Sequence, residues 1–189
     1  MGIKFMHLPP ARSDTERPVP RWALNAAYAL PWLLLPVCVW RLPFAFNYEM
    51  GMVGDERVGS LWLTVPYVFG LSVFSEMTAL LTIGLVRGWG EVAPAGLPLI
   101  GGKRVPPWAA IVPGTLGGLA LTLISVDLVL GWLGVIDVVA YENVWWAALG
   151  NACAAPAVLW GPTILVLTGA YYVRRCGAAR LASDVGGGS

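Results

Sequence analysis

Apolar residues in this chain do not alternate with polar ones; they run together. Four stretches, at about 22–46, 60–86, 108–135 and 144–173, each meet or exceed the roughly 20 residues needed to cross a hydrocarbon core about 30 Å thick. Runs of this length predict membrane-spanning helices. An open series of strands cannot satisfy its backbone in lipid, and the alternation of a barrel is missing. The expected fold class is all-α, a polytopic membrane four-helix bundle. Residues 1–21 would be an N-terminal tail, 22–173 the four-helix transmembrane domain and 174–189 a C-terminal tail. Neither tail nor the middle loop is long enough for a separate soluble domain. The first span reads as a retained helix, because no small-residue cleavage site follows it cleanly.

Every span contains proline: Pro31 and Pro36, Pro66, Pro113, and Pro156 with Pro162. Kinks are expected at several of these, with continuous helix preferred over unwinding around Pro156 and Pro162. The third and fourth spans carry small faces suited to close approach. One comprises Pro113, Gly117, Ala120, Ile124 and Asp127, the other Ala147, Ala148, Asn151, Ala154 and Ala155. Asp127 and Asn151 are equally far from the centre of the short loop between these spans, near Val139. A hydrogen bond between them is therefore expected. Spans one and two do not resemble three and four in charge position, which gives no support to an inverted-repeat transporter.

Composition agrees with the pattern, at 57% hydrophobic and 12% charged residues against about 25% charged in soluble domains. The net charge of +1 offers no argument for nucleic acid or an acidic partner. Its distribution says more. Lys4, Arg12, Arg17 and Arg21 precede the first span, Arg87, Lys103 and Arg104 separate the second and third, and Arg174, Arg175 and Arg180 follow the fourth. Only Arg41 and Arg57 fall on the other side, so the positive-inside bias places both termini and the middle loop in the cytoplasm. The outer loops carry Glu49, Asp55, Glu56, Asp137 and Glu142, read with Asn143 as solvated chain rather than an acidic mouth. Trp22, Trp89 and Trp108 fall near one boundary and Trp40, Trp62, Trp132, Trp145 and Trp146 near the other, as an aromatic belt requires. Trp32 and Trp160 lie deep and need lipid contact or a partner for the indole nitrogen.

Candidate chemistry centres on two acids within the spans, Glu76 and Asp127. An ionisable group in the bilayer costs from about 2.5 to well over 10 kcal/mol, so it usually faces a bundle interior, a partner or a water path. Glu76 should lie about 16 Å from the inner end of its span, with Ser72, Ser75 and Ala79 on its face and Gly117 and Gly118 opposite. Asp127 should lie about 12 Å from the outer boundary, too far from Glu76 for a shared proton. The two acids are stations on a proton or cation route, or one catalytic and one structural acid. The plainer reading pairs Asp127 with Asn151 and leaves Glu76 protonated on a serine or a carbonyl.

Other signatures are mostly absences. The single histidine is His7, and no Ser-His pair, zincin helix or metal-ligand cluster is present, so neither metal nor cofactor is expected. The three cysteines lack metal or Cys-x-x-Cys spacing. Cys38 and Cys153 read as small apolar fillers, since a bridge would require spans one and four to touch. Lipidation of Cys176, beside Arg174 and Arg175, is the lesser reading there. The middle loop, 88–107, reads as irregular chain whose centre, 95–100, dips toward the interface. Gly101-Gly102-Lys103-Arg104 lacks the spacing and the Ser/Thr of a P-loop. A lipid head group near Lys103 and Arg104 is preferred to a nucleotide, and topology-setting charge to either. The final Gly-Gly-Gly-Ser resembles a linker.

That loop reads Arg87-Gly88-Trp89-Gly90-Glu91-Val92, then Pro94, Pro98 and Gly101-Gly102-Lys103-Arg104-Val105-Pro106. It resembles a segment of a four-span integral membrane protein family of actinobacteria, itself uncharacterised, and the likeness covers about a third of the chain. The resemblance implies a multi-pass protein of the bacterial inner membrane and supplies no activity. It adds Trp89, Glu91, Lys103 and Arg104 as loop candidates, with Arg87 the plain i,i+4 partner for Glu91.

The leading expectation is a non-enzymatic accessory or partner subunit, or a small oligomeric carrier, with Glu76 as its polar centre. Its partners would be membrane lipids and another membrane protein or further copies of itself, and no nucleic acid. The alternatives are a small membrane enzyme acting on a lipid or isoprenoid, and a proton-coupled small-molecule exporter. An apolar cavity touching Glu76 would favour the enzyme, an open watery groove the exporter, and a packed interior the accessory role.

Overall fold

The computed structural model describes residues 15–53, 60–93, 102–136 and 140–177. Expectations for the N-terminal tail before Thr15, for Asp55, Glu56 and Arg57, for the dip of 95–100, for Asp137, for Arg180 and for the Gly-Gly-Gly-Ser end lie outside the described residues.

Four helical stretches are long and apolar enough to cross a membrane: Arg21–Phe46, Leu61–Leu85, Trp108–Trp132 and Val144–Cys176. They coincide with the expected spans to within a few residues. The first is α1 (Arg21–Arg41), tightening into a 3-10 turn over Leu42–Phe46, and the second is α2 (Leu61–Thr82), ending in a 3-10 turn over Ile83–Leu85. α3 spans Trp108–Trp132. The fourth stretch is not one continuous helix. It consists of α4 (Val144–Ala154), a 3-10 turn over Ala155–Leu159, α5 (Trp160–Tyr172) and a closing π turn over Val173–Gly177.

That break corrects the expectation of continuity, and its cause is Pro156. Proline has no N–H for the helical ladder and its ring clashes with the carbonyl four residues back. Pro162 falls in the first turn of α5, where its missing N–H would have had no helical partner. Ser125 Oγ, 2.8 Å from the Leu121 carbonyl of its own helix, also lies 3.5 Å from the Ala157 carbonyl in the unwound turn.

The helices pack in the series α2, α1, α5, α3, with α3 against α5 the most extensive contact. Glycine makes that contact possible. A Cβ on Gly114 would stand 2.5 Å from Thr168 Oγ1, one on Gly118 2.8 Å from Leu165, and one on Gly161 2.3 Å from the backbone nitrogen of Thr122. The small face of α3 is therefore real but runs along Gly114, Gly118 and Ser125, one residue from the expected stripe. One residue is about 100° of helix rotation. The expected stripe of Ala120, Ile124 and Asp127 is exposed. The expected face on the fourth span is also displaced, with Gly150 the one buried residue of α4.

Buried apolar residues form two clusters. One joins Leu30, Leu34 and Val37 to Ala79, Trp160 and Ile164, and the other joins Ala23 and Ala27 to Leu85, Val86, Leu167 and Tyr171. Trp160 is inside and its indole nitrogen has no hydrogen-bond partner, whereas Trp32 is 76% exposed and so faces lipid if the spans are in a bilayer. Cys38, Cys153 and Cys176 are free thiols.

One end is closed by a two-stranded sheet, β1 (Met52–Val53) antiparallel to β2 (Ala140–Tyr141), pairing Met52 with Tyr141. Gly51, at φ +71°, lies under Trp146, where any Cβ would be 2.1 Å from the indole. Asn143 caps α4 by accepting from the backbone nitrogens of Trp145 and Trp146 at 3.1 Å. Burial raises the Tyr141 phenol above its ordinary pKa. Thr15–Arg17, the loop after α2 and the end of α5 meet at the opposite, basic end.

Candidate functional site

α2 turns its polar residues toward α1. Ser72 Oγ donates to the Cys38 carbonyl at 3.4 Å, the Cys38 thiol lies 3.8 Å from the Ser72 carbonyl, and Arg41 Nη1 donates to Ser75 Oγ at 3.4 Å. Ser72 and Ser75 are both buried. The Glu76 carboxylate interacts with the Cys38 thiol, and its Oε1 is buried with no hydrogen-bond partner. The glycines expected opposite Glu76 are elsewhere. Gly118 packs on Leu165 of α5, and α2 is not packed against α3. The depth argument assumed that α2 and α3 pack directly, whereas a cleft separates them and Gly117 walls it with Thr78, Leu81 and Thr82 rather than with Glu76.

Asp127 and Asn151 are not paired. Asn151 Oδ1 accepts instead from Trp132 Nε1 at 3.0 Å. Asn151 thus reaches a residue five positions, about 7.5 Å along the helix, beyond Asp127. The equal-depth argument treated the fourth span as one rod alongside α3, whereas α4 packs mainly against α1 and the more extensive α3 contact lies at the Ala155–Leu159 turn and α5. Asp127 is exposed, and no hydrogen bond or ion pair joins it to any described residue.

The densest polar constellation is at the basic end and centres on Glu91. The chain leaves α2 through Ile83–Leu85 and folds back so tightly that a Cβ on Gly90 would meet the Gly84 carbonyl oxygen at 1.8 Å. Trp89 then lies over Gly84, where a Cβ would be 2.6 Å from the ring. This fold-back is why glycines flank Trp89. The next residues pair with the returning loop through a Val92–Arg104 bridge, and the Val105 nitrogen donates to the Glu91 carbonyl at 2.9 Å.

Glu91, only 2% exposed, is thereby carried inside. Its Oε1 stands 3.1 Å from Arg174 Nη2, its Oε2 stands 3.9 Å from Arg175 Nη1, and Oε2 accepts from the Glu16 backbone nitrogen at 2.8 Å. Arg174 Nη2 also donates to the Leu85 carbonyl at 2.9 Å, Arg175 Nη2 to the Val105 carbonyl at 3.1 Å, and Arg17 Nη1 to the Arg174 carbonyl. Tyr171 donates to the Gly90 carbonyl at 3.3 Å, with both guanidiniums over its ring at 5.6 and 5.9 Å. Arg87, expected to pair with Glu91, goes to the Tyr28 hydroxyl and ring. Arg104 reaches Glu16 at 3.2 Å, and Lys103 is exposed.

Two cavities adjoin this loop. One, of about 220 Å³, is walled by Glu16, Arg17, Glu91, Arg104, Pro107, Arg174 and Arg175. The other, of about 360 Å³, is the apolar cleft between α2 and α3, walled by residues including Leu81, Thr82, Trp89, Pro113 and Gly117, with Ile164 of α5. Glu76 and Asp127 line neither.

Among the loop candidates, Glu91 and Arg104 are brought together with Glu16, Arg17, Tyr171, Arg174 and Arg175. The sequence reading missed those five because the three arginines flanking a span are explained by topology alone and nothing local marks Glu16 or Tyr171. The one available signal was an acid directly after Gly-Trp-Gly in a loop otherwise free of acidic residues. No protein family, curated protein or solved structure matches the chain.

Proposed function

We propose that the chain is a non-enzymatic, multi-pass protein of the bacterial inner membrane that serves as a partner subunit in a membrane assembly, with both termini cytoplasmic. The observation that carries this reading is the position of Asp127. α3 is the least enclosed span, with 11% of its apolar window buried against 39% for the second span, and Asp127 is on its exposed side. An acid within a span finds a protein or water partner rather than lipid, and none of the described residues supplies one. Ala120 and Ile124 on the same stripe give a surface against which another helix packs. The partner helix would present a hydroxyl, amide or basic group to Asp127. The arginines at the basic end support the orientation, and the loop resemblance supports the bacterial inner membrane.

The test is native mass spectrometry of protein gently extracted from its own membrane, alongside disulfide cross-linking of an Ile124→Cys variant. A stoichiometric companion, either another protein or a second copy, is expected, and Asp127→Leu should release it without unfolding the chain. A lone chain that yields no Ile124→Cys cross-link overturns the reading.

A second reading, a protein acting on a lipid or isoprenoid, is favoured by the apolar cleft, whose volume reaches the range of about 300–1,000 Å³ typical of ligand pockets. Neither Glu76 nor Asp127 lines that cleft, which ranks this reading second.

A further inference from the structure

We propose that the cavity beside Glu91 is a binding site for a phosphate-type anion, either a phosphomonoester head group or free phosphate. The proposal stands independently of any partner at α3. The cavity sets four guanidiniums, from Arg17, Arg104, Arg174 and Arg175, against two carboxylates, from Glu16 and Glu91, an excess of two positive charges. Such an excess around a half-open cavity favours an anion.

One of these guanidiniums has an unsatisfied donor. The Arg174 side chain is 8% exposed, its Nη2 is held by Glu91 and the Leu85 carbonyl, and its Nη1 is buried with no hydrogen-bond partner. A buried guanidinium N–H without an acceptor is costly, and this one belongs to a residue that walls the cavity. Glu91, the π turn at Val173–Gly177 and the Tyr171 ring hold the Arg174 guanidinium in place, so the free donor is rigid before a ligand arrives.

Glu16 shows how an anion is received. Its carboxylate stands 3.2 Å from Arg104 and 3.5 Å from Arg175 with its side chain 47% exposed, an oxyanion already bridging two guanidiniums at the mouth. Arg104 is 80% exposed and is the movable arm. A phosphate would meet the Arg174 side chain on the cavity wall and compete with Glu16 for Arg104 at the rim. Guanidinium favours phosphate because its planar fork matches two oxygens at once. At about 220 Å³ the cavity is smaller than the roughly 300–1,000 Å³ usual for drug-sized ligands, which favours a single phosphate group over a nucleotide. It also lies where the spans end at the basic face, the depth of lipid phosphates.

The experiment uses the full chain in phosphatidylcholine nanodiscs. Inorganic phosphate is titrated by calorimetry, and lipid retention is read by native mass spectrometry from nanodiscs containing phosphatidic acid. Wild type should bind one phosphate, retain phosphatidic acid over phosphatidylcholine, or both. Phosphate binding without lipid retention identifies a soluble anion, and retention without phosphate binding identifies a lipid head group. Either supports the site, provided that Glu16→Gln tightens binding several-fold and Arg104→Ala weakens it several-fold. Both substitutions are at the exposed mouth, so the fold is retained. The proposal fails if neither probe binds wild type or Glu16→Gln, or if binding is the same in both variants.

Discussion

Glu91 Oε1 and Arg174 Nη2 stand 3.1 Å apart with side chains 3% and 8% exposed, the most enclosed ion pair among the described residues. The pair fastens the loop after α2 to the end of α5. Removing one member of such a pair leaves a buried charge uncompensated and costs about 3–5 kcal/mol, whereas replacing both with apolar groups is often neutral. Glu91→Ala should lower the thermal midpoint in detergent accordingly, and Glu91→Met combined with Arg174→Met should recover most of the loss. A single variant as stable as wild type would remove the pair from the determinants of this fold.

The α3–α5 contact predicts opposite fates for two glycines. Gly161→Ala would drive a methyl against the Thr122 backbone at 2.3 Å, where no side chain can swing away. Overpacking of this kind costs about 1–3 kcal/mol. Gly117 has nothing within 4 Å of its would-be Cβ, so Gly117→Ala should change stability by less than about 1 kcal/mol. Equal losses from the two would contradict the rotation of α3 described above.

Asn151 and Trp132 should behave as a unit. Asn151→Leu and Trp132→Phe each remove the same 3.0 Å hydrogen bond, worth about 0.5–1.5 kcal/mol, and the double variant should lose no more from that bond than either single one. Asp127→Asn should not couple to either in a double-mutant cycle. Coupling between positions 127 and 151 would restore the pairing that the equal-depth argument expected.

Glu76 offers a different signature. Its Oε1 is buried without a partner, and an unsatisfied buried polar group costs about 1–3 kcal/mol, so Glu76→Met should raise the unfolding midpoint. A stabilised variant that loses function in cells would mark Glu76 as retained for activity. Unchanged function in the stabilised variant would remove it from the functional residues.

The spans were legible because the bilayer imposes length and apolarity on each helix by itself, and Arg21–Phe46 or Leu61–Leu85 needs no knowledge of its neighbours. Glu76, Ser72 and Ser75 were legible as one polar face for the same reason. What failed were statements about pairs. Asp127 and Asn151 were aligned by counting from a loop, and one proline turn displaced the count. The face of α3 was chosen to end in its acid, whereas the glycines chose Gly114 and Gly118. Arg174 and Arg175 were read only as topology charge, because the long-range contact that buries Glu91 leaves no trace in local spacing.

Arg174 and Arg175 stand at the end of the fourth span, so the Glu91 network cannot close until that span has been made. Until those residues leave the ribosome, the Glu91 carboxylate lacks both of its guanidinium partners, and Glu16 is held only by Glu91 and Arg104. A chain that stops short at residue 173 keeps four apolar stretches but lacks both guanidiniums that bury Glu91, so its basic end stays unsealed.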